Sequence, residues 1–164
     1  VAVLSKPTSE KRAARRSGDR GSRVEYLALA LGRERYGVQI THIAEILRPP
    51  PITEVPRASR NVLGVVSVRG RLVTIIDLRR RFGLDAAPID RRSRVLLADA
   101  GTGEQMGLLV DEVQQVWRLA PDEIEPAGAL GGEQPAHIAG IGRPAGGDGL
   151  VLILLNLAPI LQAP

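Results

Sequence analysis

Hydrophobic positions recur in one order at two places along the chain, about seventy residues apart. The first copy runs Tyr36-Gly37-Val38, then Ile40, Ile43 and Ile46 at every third position, then Gly64-Val65-Val66, then Gly70-Arg71-Leu72-Val73-Thr74-Ile75-Ile76-Asp77-Leu78. The second runs Met106-Gly107-Leu108, then Val110, Val113 and Val116, then Gly140-Ile141, then Gly149-Leu150-Val151-Leu152-Ile153-Leu154-Leu155-Asn156-Leu157. Residues 37–46 fall on 107–116 without a gap. Self-similarity of this kind marks a duplication, two similar half-domains with a seam between them. Each half, left alone, would bury too little surface to be stable, so the halves are expected to pack together.

Local patterning assigns the elements. Tyr26 to Leu31 alternates as a strand, Gly32-Arg33-Glu34-Arg35 turns the chain, and Tyr36-Gly37-Val38 begins the return, which makes a hairpin. From Ile40 to Leu47 the apolar residues stand at i, i+3, i+6 and i+7, a spacing that predicts a short helix. Pro49-Pro50-Pro51 stops it, and Ile52 to Pro56 is extended. Strands Val65–Val68 and Leu72–Leu78 are joined by Arg69-Gly70-Arg71, where Gly70 supplies a positive φ. A brief amphipathic segment, Arg79 to Leu84, ends near Gly83, and a linker runs from Asp85 to Arg94. Val95 to Asp99 then opens the second copy, whose hairpin turns at Gly101-Thr102-Gly103. Short strands with Gly and Pro turns and no helix of ordinary length predict an all-β protein of small barrels. The first barrel spans roughly 24–84 and the second roughly 95–161, interleaved at their ends.

Composition narrows the class. With 44% hydrophobic residues in 164 the chain supports a buried core, and with only 2% aromatics that core is aliphatic. There is no Cys, which excludes disulfides, thiolate metal sites and cysteine nucleophiles, and fits a cytosolic protein. Neither a run of eighteen apolar residues nor a signal-peptide core is present, so no membrane insertion is expected. The formal charge of +4 is concentrated at one end. Residues 1–23 carry +5, with Lys11, Arg12, Arg15 and Arg16 at their centre, and the rest carries −1. This tail reads as a disordered basic arm, either a solvated leader or an electrostatic contact for nucleic acid or another anionic surface.

Catalytic chemistry is not apparent. His42 and His137 are unrelated in position and no metal-ligand spacing accompanies them. Ser59, Ser67 and Ser93 have no base nearby in sequence, and no nucleophile elbow occurs. Gly140-Ile141-Gly142-Arg143-Pro144-Ala145 formally matches a dinucleotide loop, but it leads into a strand and reads as a hairpin. Asp77, at a strand end, reads as the cap of the turn from Leu78 to Phe82. No enzyme, cofactor or metal is expected. What remains is the pair of apolar stripes. Either they are core, or parts of them meet at the seam as a groove for a partner helix with anchors every three or four residues. Glu45, beside the first stripe, and Arg69, at a hairpin turn, are placed to pair across the first barrel.

Read as ordered motifs, Tyr36-Gly37-Val38, Ile43-Ala44-Glu45-Ile46, Ile52-Thr53-Glu54-Val55-Pro56, Gly64-Val65-Val66-Ser67-Val68-Arg69-Gly70 and Val73 to Arg79 resemble the CheW family of chemotaxis coupling proteins. The likeness continues through Met106 to Val113 and from Gly140 to Leu157, so it covers roughly residues 24–161 and leaves out the tail. The resemblance implies two SH3-like five-stranded β-barrel subdomains with short helices. It also implies a non-enzymatic, cytoplasmic adaptor that joins the regulatory domain of a CheA-type histidine kinase to methyl-accepting chemoreceptor tips. By that likeness Ile40, Ile43, Ile46 and Val113 would line the receptor groove, and Glu45, Gly64, Arg69 and Gly70 would belong to the coupling and kinase interface. The triple proline, the Gly-rich loop 140–149 and the basic tail depart from the commonest pattern of the family. The alternative is a CheW-like protein with receptor alone as partner, or one recruited by its tail to nucleoid DNA or an anionic surface.

Overall fold

The structure, a computed structural model, describes residues 22–99 and 101–162. The first copy of the repeat gives β1 (Val24–Leu31), β2 (Glu34–Gln39), β3 (Ile43–Leu47), β4 (Val62–Val68), β5 (Arg71–Asp77) and a single helical turn, α1 (Leu78–Arg81). The second gives β6 (Arg94–Asp99), β7 (Gln105–Val110), β8 (Glu112–Leu119), β9 (Ile124–Pro126), β10 (Ile138–Gly142), β11 (Leu152–Leu155) and α2 (Leu157–Gln162). Asp77 caps α1 as its position implied, its Oδ1 accepting from the Arg79 N–H at 3.0 Å.

The strands form two sheets, ordered β8-β1-β2-β11-β10-β9 and β3-β6-β7-β5-β4. Replacing each strand by its mate in the other copy (β1 by β6, β2 by β7, β3 by β8, β4 by β10, β5 by β11) turns one order into the other. In the five-stranded sheet the place of β9 is held by Thr53 alone, bridged to Val65. Each sheet therefore joins the first hairpin of one copy to the later strands of the other. Residues 24–39 lie in the sheet otherwise built from 112–155, and residues 94–110 lie in the sheet otherwise built from 43–77. Interleaving thus involves whole hairpins. The joints are the parallel pairings, Gly37 beside Leu154 and Gly107 beside Ile75. Glycine lets both joints pack closely: a Cβ on Gly37 would stand 2.9 Å from Leu154 Cδ2, and one on Gly107 would stand 2.8 Å from Val95 Cγ1, so those side chains would have to move.

The exchange leaves three apolar clusters. One fills the five-stranded lobe with Val66, Val73, Ile75, Val95, Leu97 and Leu109. A second fills the six-stranded lobe with Tyr26, Ala28, Leu119, Leu152 and Leu154. The largest lies between the sheets and takes Leu27, Leu29 and Leu31 from β1, Leu96 and Ala98 from β6, and Leu108 and Val110 from β7. Strands such as β1 and β6 are buried on both faces, which is why they read as continuous aliphatic runs without polar alternation.

The short helix expected over Ile40–Leu47 is not formed. A 3-10 turn, Ile40–His42, leads into β3, and the second stripe runs from Val110 at the end of β7 to Val113 and Val116 on β8. β-Branched Ile40, Thr41, Ile43 and Ile46 favour extended backbone, and pairing with a distant strand decides the outcome. The three-residue period has another cause. Ile43 and Ile46 stand opposite Ala98 and Leu96, so three steps on β3 match two on β6. Val113 and Val116 stand opposite Leu29 and Leu27 in the same ratio. A β-bulge in each stripe returns the side chain to the same face after three residues instead of two.

Because each sheet needs strands from both copies, residues 22–90 and 91–162 expressed separately are expected to be unfolded by far-ultraviolet circular dichroism. Mixed at equal concentration they are expected to recover the β spectrum of the whole chain. A cooperative thermal transition in either fragment alone would contradict the exchange.

Candidate functional site

The chain crosses between the sheets twice, at Ile40–His42 and at Asp111, and each stripe begins at its crossing. Depth varies along the stripes. Val110 is sealed at 1% exposure, and Ile43 and Val113 are half-buried against the central cluster. Ile40, Ile46 and Val116 reach solvent at 37%, 43% and 39%. The centre of the seam is thus packed solid, and what it leaves at the surface is an apolar rim carried by the edge strands β3 and β8. Val110 is core, Ile43 and Val113 are partly so, and Ile40, Ile46 and Val116 are accessible surface.

Glu45 and Arg69 are brought together. Arg69 Nη1 donates to Glu45 Oε1 at 3.0 Å, and Nη2 to Oε2 completes a bidentate pair. Glu45 lies on β3 and Arg69 in the β4–β5 turn, at opposite edges of the five-stranded sheet, so the pair closes that sheet into a barrel. The guanidinium holds the Glu45 carboxyl below its ordinary range. Arg69 and Gly70 have φ of 49° and 78°, the hairpin geometry that requires two positive φ angles. Their mates Asp148 and Gly149 repeat it at 50° and 80°, but Glu45 corresponds to Gln115, and neither Gln115 nor Asp148 carries a side-chain bond among the described residues. The latch exists in one lobe only. At Gly64 a Cβ would collide with the Thr53 carbonyl oxygen and stand 2.8 Å from Ile52 Cγ2, so glycine there lets the chain cross over β4. Lys11, Arg12, Arg15 and Arg16 lie outside the described residues.

Sequence reading missed a second ion pair, which ties the two sheets. Arg79 Nε donates to Asp111 Oδ1 at 2.8 Å and Arg79 Nη2 to Asp111 Oδ2 at 2.5 Å. The same Oδ2 accepts the Gly32 N–H at 2.7 Å, while Arg79 Nη1 donates to the Asp85 carbonyl at 2.7 Å. One guanidinium thus gathers α1, the linker between the copies, the second crossing and, through Asp111, the β1–β2 turn. Hydrogen bonding from Arg79 holds the Asp111 carboxyl below the usual aspartate range against the opposing effect of burial, with the Gly32 N–H adding to it. The available signal was a difference between copies, since Asp111 stands where the first copy has Thr41.

Two interleaved barrels with an apolar rim and a one-sided latch define a binding module. The chain belongs to the CheW family: residues 25–164 match the family model described as a CheW-like domain. It is 30% identical over 131 residues to the chemotaxis protein CheW of Helicobacter pylori, covering 80% of this chain and 78% of that one. It is also 30% identical to protein FrzA of Myxococcus xanthus, over 84% of this chain and 85% of that one. A crystal structure of the scaffolding protein TtCheW from Thermoanaerobacter tengcongensis matches with a TM-score of 0.74 and 27% identity, covering 82% of this chain and 90% of that one. The protein is accordingly a non-catalytic chemotaxis scaffold of all-β, twin-barrel architecture. No described helix is long and apolar enough to cross a membrane, and nothing in these likenesses supports nucleic acid or an anionic surface as partner.

Asp111→Asn is expected to lower stability at neutral pH by about 1–2 kcal/mol, the range for a charge-assisted bond that is partly exposed. The folded-state pKa of Asp111 lies below its unfolded value, so its stabilisation is present at neutral pH and lost as pH falls through the folded pKa. Urea titrations should find the gap between the two proteins closing below the ordinary aspartate range. A gap that stays constant into strong acid would contradict the role of the ionised pair.

Proposed function

We propose that this chain is a cytoplasmic adaptor coupling a CheA-type histidine kinase to the tips of methyl-accepting chemoreceptors. The observation that carries the proposal is the partial burial of the two stripes, which leaves Ile40, Ile46 and Val116 accessible around the half-buried Ile43 and Val113. A helical receptor tip laid along this rim would remove the remaining exposed area of those side chains from water, each of Ile40, Ile46 and Val116 contributing roughly 0.5–1 kcal/mol because each is already more than half covered. That is a modest interface. Simultaneous binding of kinase and receptor in an array multiplies it through effective concentration.

Glu45, Gly64, Arg69 and Gly70 are assigned to the kinase side. They fix the β4–β5 hairpin against β3, and the exposed Leu72, at 77%, stands on that hairpin as a contact. The latch acts by shaping the surface rather than by adding stability, because its two groups are open to solvent.

Ile46→Asp is expected to weaken binding to a receptor cytoplasmic fragment by at least about tenfold in isothermal titration while circular dichroism stays unchanged, since the charge replaces apolar contact at an exposed rim position. Unaltered affinity in a folded variant would remove the rim from the receptor interface. Arg69→Ala should reduce receptor-dependent kinase activation, and exchanging the two charges (Glu45→Arg with Arg69→Glu) should restore part of it. Full activation by Arg69→Ala would contradict the assignment.

A further inference from the structure

Away from the seam, the segment between β3 and β4 folds back over one end of the five-stranded lobe. Thr53 and Val65 exchange two backbone hydrogen bonds of 2.9 Å, Val62 N–H donates to the Ser59 carbonyl at 2.9 Å, and Asp77 N–H donates to the Asn61 carbonyl at 2.9 Å. These bonds make the loop a fixed wall. Against it lie two cavities, of about 320 and 440 Å³, that abut along Arg60 and Arg80. The first is also lined by Glu54, Val55 and Arg57, and the second by Leu84 and Asp85.

Charge is ordered along this cleft. Glu54 lines only one cavity and Asp85 only the other, while Arg60 and Arg80 are common to both. Arg80 is held in place, its Nε 3.6 Å from Asp77 Oδ2 and its Nη1 donating to the Arg60 carbonyl at 3.4 Å. Among the described residues no hydrogen bond or ion pair engages the side chains of Arg57 and Arg60. Arg57 also sits at φ 61°, a left-handed conformation that L side chains rarely adopt. A long cation is thus kept in the lining of the cleft where Gly or Asn would fit the backbone better, and unfavourable backbone of this kind collects at binding sites.

We propose that the cleft binds an extended acidic peptide segment of a partner protein. Its carboxylates lie centrally against Arg57, Arg60 and Arg80, its aliphatic side chains rest on Val55 and Leu84, and its uncharged or basic residues face Glu54 and Asp85. The acid–base–acid order favours this occupant over nucleic acid or an anionic membrane, whose uniform negative charge would meet a carboxylate at each end. The length of two cavities exceeds what a single phosphate fills. The site lies on the opposite side of the Thr53 crossing from the latch turn and stands independently of the receptor assignment above.

The test uses the whole protein and two fluorescein-labelled peptides in anisotropy titrations. One is Lys-Ser-Leu-Glu-Glu-Leu-Ser-Lys, and the other has its Lys and Glu exchanged. The Glu-centred peptide is expected to bind and the Lys-centred one to bind at least about tenfold more weakly, with binding falling as salt rises. Arg57→Glu with Arg60→Glu, both on the loop surface, should weaken the first peptide by at least about tenfold, whereas Ile46→Asp should leave it unchanged. Amide chemical-shift changes in the wild-type protein should fall on residues 54–63 and 80–86. The proposal is overturned if the Glu-centred peptide fails to bind at millimolar concentration, if charge order makes no difference, or if the double variant binds as the wild type does. Displacement of the peptide by an equal concentration of inorganic phosphate, or shifts confined to 40–46 and 112–116, would overturn it equally.

Discussion

Packing between the two sheets governs everything else in this molecule. Leu27, Leu29 and Leu31 of the first hairpin meet Leu96, Ala98, Leu108 and Val110 of its counterpart across the seam. Each of those hairpins belongs by hydrogen bonding to the sheet of the other copy. The seam core therefore cannot separate without also breaking the parallel joints at Gly37 and Gly107. The two copies are interlocked, each sheet being built from strands distant in sequence.

Surface features follow from that arrangement. Edge strands β3 and β8 are the ones that leave the crossings, so they carry apolar side chains from the sealed seam out to solvent, and their bulges keep those side chains on one face. An edge strand with exposed aliphatic residues invites pairing with other chains, which is a hazard in most proteins and a use in a scaffold. The copies have diverged in the ion pairs they carry. Glu45 and Arg69 latch one barrel, and Gln115 and Asp148 do not latch the other. Asp111 holds Arg79 at the second crossing, where the first has Thr41.

Much of this was legible in the sequence, and for definite reasons. Hairpins over 24–39 and 65–78 are local, and Gly70 and the alternation of Tyr26 to Leu31 mark them directly. The duplication was visible because Gly37 and Gly107, and Gly64 and Gly140, occupy places where a side chain would strike a neighbour: Leu154 and Val95 at the first two, the Thr53 and Glu125 carbonyls at the second. The stripes misled, because a spacing of three is the helical signal and a bulged strand produces it equally well. Partner choice was hidden altogether, since nothing in the residues of β1 says that it pairs with β8 instead of β5. The Arg79–Asp111 tie escaped for a related reason, being a single contact between positions that no period connects.

Native-state hydrogen exchange tests the interlocked core most directly. If the seam makes one body of two sheets, the slowest amides of β1 and β6 should exchange with the same free energy of opening and the same response to urea, because neither sheet opens alone. Slow amides of one sheet that exchange at a distinctly lower free energy, with a smaller urea dependence, would show lobes that unfold separately and would contradict it.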